Sequence, residues 1–88
     1  MLYEKLDYVL AIAEEQNLTR AAKKLYISQP TLTMYLNRLE ENLGVKLFDR
    51  RKNPITITPA GRRYIEKMTE ISEEEQILRG ELRSVQNP

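Results

Sequence analysis

The 88-residue sequence contains no cysteine and no histidine. Without cysteine there is no disulfide framework and no thiolate chemistry. Without histidine the commonest general base and the commonest metal ligand are both missing. An enzyme made from these residues would rely on carboxylates, lysine or tyrosine, and no phosphate loop, nucleophile–base pair or convergent carboxylate pair is found. The run Glu73-Glu74-Glu75 does not make a metal site, because consecutive helix positions point to different sides and no His or Asp supports them. Long apolar runs are absent too, none approaching the ~18 residues of a membrane span. The start, MLYEKLDY, has early acids and no secretory pattern. These absences predict a cytoplasmic binding module without cofactor, metal or catalytic activity. A chain this short buries only ~60% of its unfolded surface, so its core is small.

Charge of one sign also looks scarce, since 14 basic residues face 13 acidic ones for a net +1. The distribution reverses that impression. Between residues 20 and 53 eight bases (Arg20, Lys23, Lys24, Arg38, Lys46, Arg50, Arg51, Lys52) meet three acids (Glu40, Glu41, Asp49), a balance of +5. Residues 1–19 carry −3 and residues 54–88 carry −1. A basic segment between acidic ends is the footprint of a polyanion partner, although a solvated mixed-charge surface gives the same counts.

Apolar spacing gives the elements. Leu2, Leu6, Val9 and Ala13 mark one helical face, widened by Tyr3, Leu10 and Ile12, and predict a helix over 3–16. Thr19 is the expected cap of a short second helix that buries Ala21, Ala22 and Leu25 and exposes Arg20, Lys23 and Lys24. Ile27 anchors a tight turn, Ser28 caps a third helix, and Pro30 fits its first turn. Leu32, Leu36, Leu39 and Leu43 form that helix's inner stripe, and Gly44 closes it. Two helices joined by about three residues make a helix-turn-helix unit.

Val45–Asp49 and Ile55–Thr58 then read as a small hairpin, with Arg51 and Lys52 at its tip and Asn53-Pro54 marking the turn. Thr58 is placed to cap a long final helix. Its apolar residues Tyr64, Met68, Ile71, Leu78, Leu82 and Val85 follow heptad spacing, with Glu75 in the skipped seam position. The Ser-Glu-Glu-Glu restart signal at Ser72 and Gly80 further along leave the continuity of this helix open. The predicted fold is mainly α: a winged helix-turn-helix of three helices plus a small β-hairpin wing over 1–58, followed by a linker helix over 59–88.

The third helix carries the recognition chemistry. Its leucine stripe leaves Gln29, Pro30, Thr31, Thr33, Met34, Asn37 and Arg38 outside, mostly toward the N-terminal half. The major groove of DNA admits one helix, whose front residues reach base edges. Gln pairs bidentately with adenine; Thr hydroxyls bond either base type, and their methyls touch thymine. Arg38, one or two turns on, suits phosphate. Arg20, Lys23 and Lys24 on the second helix, Arg50, Arg51 and Lys52 around the wing, and the helix starts at Thr19 and Ser28 complete the expected backbone contacts. A seam that runs to Val85 outruns a 58-residue head, so it predicts a homodimer through Tyr64, Met68, Ile71, Leu78, Leu82 and Val85.

The stretches LTRAAKKLYISQPTLTMYLNRLEENLGVKLFDR and ITITPAG, with the distance between them, resemble the N-terminal DNA-binding domain of LysR-type bacterial transcriptional regulators. The resemblance covers nearly the whole chain. It implies a winged helix-turn-helix on a linker helix that pairs with a second subunit's. It also implies that the dimer binds imperfect palindromes in promoter DNA, often bordered by a T and an A. Gln29, Pro30, Thr31 and Thr33 stand where family members touch bases or nearby backbone, Ser28 at the recognition-helix cap, and Arg50 where an arginine usually follows the Phe-acid pair. Met34 stands where the family often has Arg or Lys, Tyr35 where it often has Gln, and Asn53 where many members have a base. The last difference shifts a wing contact to Lys52 or Arg51. The family continues into an effector-binding domain that senses a small molecule, so an effector is expected only through a C-terminal domain not present here, and the chain reads as an excised DNA-binding domain. A protein–protein adaptor and an enzyme fragment are the competing classes; the basic middle opposes the first, and the missing His and Cys the second.

Overall fold

The computed structural model describes residues 5–86; Leu2 and Tyr3, assigned above to the first helical face, lie outside them. The elements are α1 (Leu6–Glu15), α2 (Leu18–Leu25), α3 (Gln29–Leu43), β1 (Phe48–Asp49), β2 (Thr56–Ile57) and α4 (Pro59–Gln86). Leu6, Val9, Ala11 and Ile12 of α1, Ala21 and Ala22 of α2, and Leu32, Leu36 and Leu39 of α3 form one buried core. Leu47, Phe48 and Tyr64 complete it. This is the predicted winged helix-turn-helix with a long C-terminal helix.

The turn between α1 and α2 is tighter than expected. Gln16, predicted as the last residue of α1, instead takes a left-handed φ of 54° and donates its N–H to the Ile12 carbonyl at 2.8 Å. Asn17, not Thr19, caps α2: its Oδ1 accepts the Arg20 N–H at 2.8 Å. The earlier start brings Leu18 into the helix, so that Leu18, Ala21, Ala22 and Leu25 line its inner side at helical spacing. Thr19 lies exposed in the first turn.

α3 begins as read, with the Ser28 Oγ accepting the Thr31 N–H at 3.2 Å, and ends at Gly44, whose φ is 74°. Between α2 and α3, Tyr26 adopts φ 59° and Ile27 donates its N–H to the Ala22 carbonyl at 3.1 Å. A left-handed conformation costs a residue with a Cβ about 1–2 kcal/mol.

The hairpin is shorter than predicted, two residues on each side, with Phe48 opposite Ile57 and Asp49 opposite Thr56. At its base one bond runs to α3 and two join its own sides. The Leu47 N–H donates to the Glu40 carboxylate, the Thr58 N–H to the Leu47 carbonyl, and the Thr58 hydroxyl to the Lys46 carbonyl. On the other side, Ile55 and Gln16 exchange two bonds: Ile55 N–H to the Gln16 carbonyl, and Gln16 Nε2 to the Ile55 carbonyl.

α4 starts on the Thr58 cap, whose Oγ1 accepts the Gly61 N–H at 3.0 Å. It then runs 28 residues and is continuous through Ser72 and Gly80, where the sequence left continuity open. Pairs of opposite charge at helical spacing bind its turns: Arg63–Glu66, Lys67–Glu70 and Arg79–Glu75. Tyr64, placed on the dimer stripe but also expected with Ile65 to pack onto its own domain, is buried in the head's core, with Ile65 and Met68 packed beside it. Beyond that turn Ile71, Ile77, Leu78, Leu82 and Val85 are exposed. No helix among the described residues is long and apolar enough to cross a membrane.

The start of α4 approaches Leu47 so closely that a Cβ on Gly61 would lie 2.0 Å from the Leu47 carbonyl oxygen. That oxygen belongs to backbone already bonded to Thr58 and cannot swing away. Gly61→Ala should therefore lower the unfolding free energy by about 1–3 kcal/mol in urea titration, as overpacking does. Gly80→Ala, with open space around it, should raise it by up to about 1 kcal/mol through helix propensity.

Candidate nucleic-acid interface

The front of α3 presents a hydrogen-bonded polar set. Gln29 Nε2 donates to the Thr33 Oγ1 at 2.5 Å, and Ser28 Oγ donates to the Thr31 Oγ1 at 2.7 Å. Both side-chain pairs are made within one helical turn, so each polar group has a defined direction before any ligand arrives. Pro30, Thr31, Asn37 and Arg38 are exposed, Gln29 and Thr33 half-buried at the edge of the face, and Met34 is 49% exposed among them. The expected base-reading residues thus share the solvent side of one helix.

Tyr35 points the other way. Its hydroxyl donates to the Lys5 carbonyl at 3.3 Å, its ring meets Tyr8 edge-on at 5.1 Å, and its hydroxyl is hydrogen-bonded with that of Tyr64. The Lys5 ammonium lies 5.3 Å from the Tyr8 ring centre and 5.9 Å from that of Tyr35. Burial, with the nearby Tyr64 and Asp7, pushes the Tyr35 hydroxyl well above the ordinary phenol range. Burial likewise raises Tyr64, against a smaller opposing effect from its bond to Tyr35. Tyr in place of Gln at this position therefore alters the packing of α3 on α1 and α4, not its groove-facing surface.

The basic residues fall into two groups. Lys24 is paired with Glu14 and, at 3.8 Å, with Glu15, and its ammonium pKa is raised chiefly by the Glu14 hydrogen bond. Arg20 bonds the Glu15 carbonyl at 2.8 Å and lies 3.7 Å from its carboxylate. At the wing, Arg51 grips Asp49 through Nε and Nη2, both at 3.0 Å. These bonds hold the Asp49 carboxyl at a pKa of about 2 and raise the Arg51 guanidinium. Among the described residues Lys23 and Arg38 form no salt bridge, and Lys52, which forms none either, acts on Asp49 only through its charge. They lie on α2, on α3 and at the wing tip.

Arg50, expected to touch a phosphate, points inward. Its Nη2 donates to Glu40 Oε1 at 2.6 Å. Glu40 is only 3% exposed, and its Oε2 accepts the Leu47 N–H at 2.6 Å and the Phe48 N–H at 3.2 Å. Lys46 stands 3.8 Å away. Sequence reading counted Glu40 only as an acid. The available signal was its position directly after Leu39, on the shoulder of the leucine stripe, where a helical side chain turns inward.

Comparison with known proteins followed the same lines. A family model described as bacterial regulatory helix-turn-helix protein, lysR family, matches residues 3–62. The chain is 44% identical over 66 residues to the uncharacterized HTH-type transcriptional regulator YcgK of Bacillus subtilis (strain 168), a match covering 75% of this chain and 20% of that protein. It is 46% identical over 68 residues to the HTH-type transcriptional regulator BsdA of the same organism, covering 76% and 23%. Among solved structures, the CbnR_DBD-DNA complex superposes with a TM-score of 0.86 at 34% identity, covering 99% of this chain and 100% of that one. The BenM_DBD/benA site 1 DNA complex gives 0.82 at 34% identity, covering 100% of both. The chain spans about a fifth to a quarter of the length of the curated relatives it matches.

The buried carboxylate sets up a stability contrast. Glu40→Ala leaves the Leu47 and Phe48 N–H groups and the Arg50 guanidinium without their acceptor, and should cost about 3–5 kcal/mol in chemical denaturation. Glu41→Ala, on the exposed side of the same turn, should stay within about 0.5 kcal/mol.

Proposed function

The chain belongs to the lysR family of bacterial regulatory helix-turn-helix proteins, and on that premise we propose that it binds double-stranded promoter DNA sequence-specifically, as a dimer, to regulate transcription. The observation that carries the reading is the ordered polar front of α3, together with the exposed cations Lys23, Arg38 and Lys52, which form no salt bridge among the described residues. α3 enters the major groove. Gln29 reads adenine through its amide, Thr31 and Thr33 supply hydroxyls and methyls, and Met34 and Pro30 meet apolar base edges such as the thymine methyl. Gln29 then gives up or shares its bond to Thr33, so the cost of unpairing one weighs against the gain in base contact. The likeness over the full chain to domains solved with DNA supports this assignment.

Phosphates are held by Lys23, Arg38 and Lys52, with Arg20, Lys24 and Arg51 contributing less because acids already neutralise them, and Thr19 and Ser28 offering hydroxyls. Arg50 acts through Glu40, by fixing the wing. The DNA-reading head is residues 1–58 and the linker helix residues 59–88. In the dimer the second copy covers Ile71, Leu78, Leu82 and Val85, joined by Ile77; Met68 borders that seam and Tyr64 lies outside it.

Titrating salt against a selected duplex and a scrambled one tests the reading. Specific affinity should exceed non-specific by ~10³–10⁷-fold at physiological salt, and equal affinity for both would refute it. Gln29→Ala should lose about 1–3 kcal/mol of discrimination at one adenine. Lys23→Ala should weaken all duplexes alike and reduce the salt slope by about 1, with Lys24→Ala changing it less. Leu78→Asp should yield monomers by light scattering while the helical circular dichroism of the head persists; an unchanged mass would place the dimer contact elsewhere.

A further inference from the structure

Tyr26 is an aromatic residue without a use inside the fold. Its side chain is 95% exposed, the most open of the large apolar side chains. Its backbone sits at φ 59° and ψ 40° as the C-cap of α2, a conformation that glycine adopts without steric penalty. The cap bonds are made by backbone: the Tyr26 N–H reaches the Lys23 carbonyl at 3.1 Å and the Ile27 N–H reaches that of Ala22 at 3.1 Å. Neither needs a phenol ring. Glycine fills the corresponding cap position of α3 at Gly44. The ring therefore adds strain at this turn and no packing in return.

Its location supplies a partner. Tyr26 ends the helix that carries the unpaired Lys23 and stands two residues before Ser28, the cap of α3. The turn is short, so the exposed ring stands close to the start of α3. We propose that Tyr26 is a positioning contact to the sugar–phosphate backbone beside the recognition helix, its hydroxyl donating to a phosphate oxygen and its ring lying against the adjoining sugar. The inference rests on the DNA-binding reading above and deepens it. The contact reads no base; together with Lys23 it adds affinity for the backbone that does not depend on sequence. A phenol suits this task because its rigid ring carries a donor well beyond the backbone with only two side-chain torsions to order.

The test uses the 88-residue chain, a duplex recovered from a random pool and a scrambled duplex of equal composition, with binding followed by fluorescence anisotropy and folding by thermal melts. Tyr26→Phe should weaken both duplexes by a similar factor, about three- to tenfold, as loss of one hydrogen bond to a charged acceptor does. Tyr26→Gly should weaken both further while its melting temperature holds or rises. Wild-type affinity in Tyr26→Gly would overturn the proposal, as would a loss confined to the selected duplex, which would make Tyr26 a base reader. Failure of the wild-type chain to bind either duplex would instead overturn the DNA-binding reading itself.

Discussion

Glu40 is a carboxylate held out of water, and much of the domain's geometry follows from how it is satisfied. Burying such a charge costs several kcal/mol unless partners surround it. Two backbone N–H groups and the Arg50 guanidinium do so. Because those N–H groups belong to Leu47 and Phe48, the carboxylate fixes where the chain leaves α3 and enters the wing. Leu47, held there, offers its carbonyl to Thr58 and a close seat to Gly61, which aligns the first turn of α4. One turn on, Tyr64 bonds back to Tyr35 on α3. The contacts form a closed circuit that starts and ends on the same helix.

The same accounting of partners revises the electrostatics. The +5 of the central segment is a formal balance, and acids from outside the segment offset two of those charges. Glu14 and Glu15, which belong to the acidic first segment by sequence, lie against Arg20 and Lys24 by structure. Lys23 on α2, Arg38 on α3 and Lys52 at the wing tip stay exposed and form no salt bridge among the described residues. Such an arrangement depends on geometry more than on total charge, which is why a chain of net +1 can still present a polyanion-binding face.

Legibility followed the range of the interactions. The leucine stripe of α3, its Ser28 cap, the Gly44 stop and the wing are local patterns, and they were readable from spacing. The cap of α2 was missed by two residues because Asn17 and Thr19 are both good capping residues. The choice rests on whether Leu18 is buried, which only tertiary packing decides. The hairpin was overextended because alternation reports burial and says nothing about which carbonyl an N–H will find. Arg50 reads as outward for a related reason. Its partner, Glu40, is ten residues away in sequence, beyond any periodicity.

The circuit has a mechanical consequence. α4 is about 42 Å long at 1.5 Å per residue, within a molecule 53 Å in its longest dimension, and only its first turns are clamped to the head. The Leu47–Gly61 seat and the Tyr64–Tyr35 bond both tie the start of α4 to the head. The rest projects as an arm, and whatever holds its far end is coupled to the head, α3 included, through those first turns.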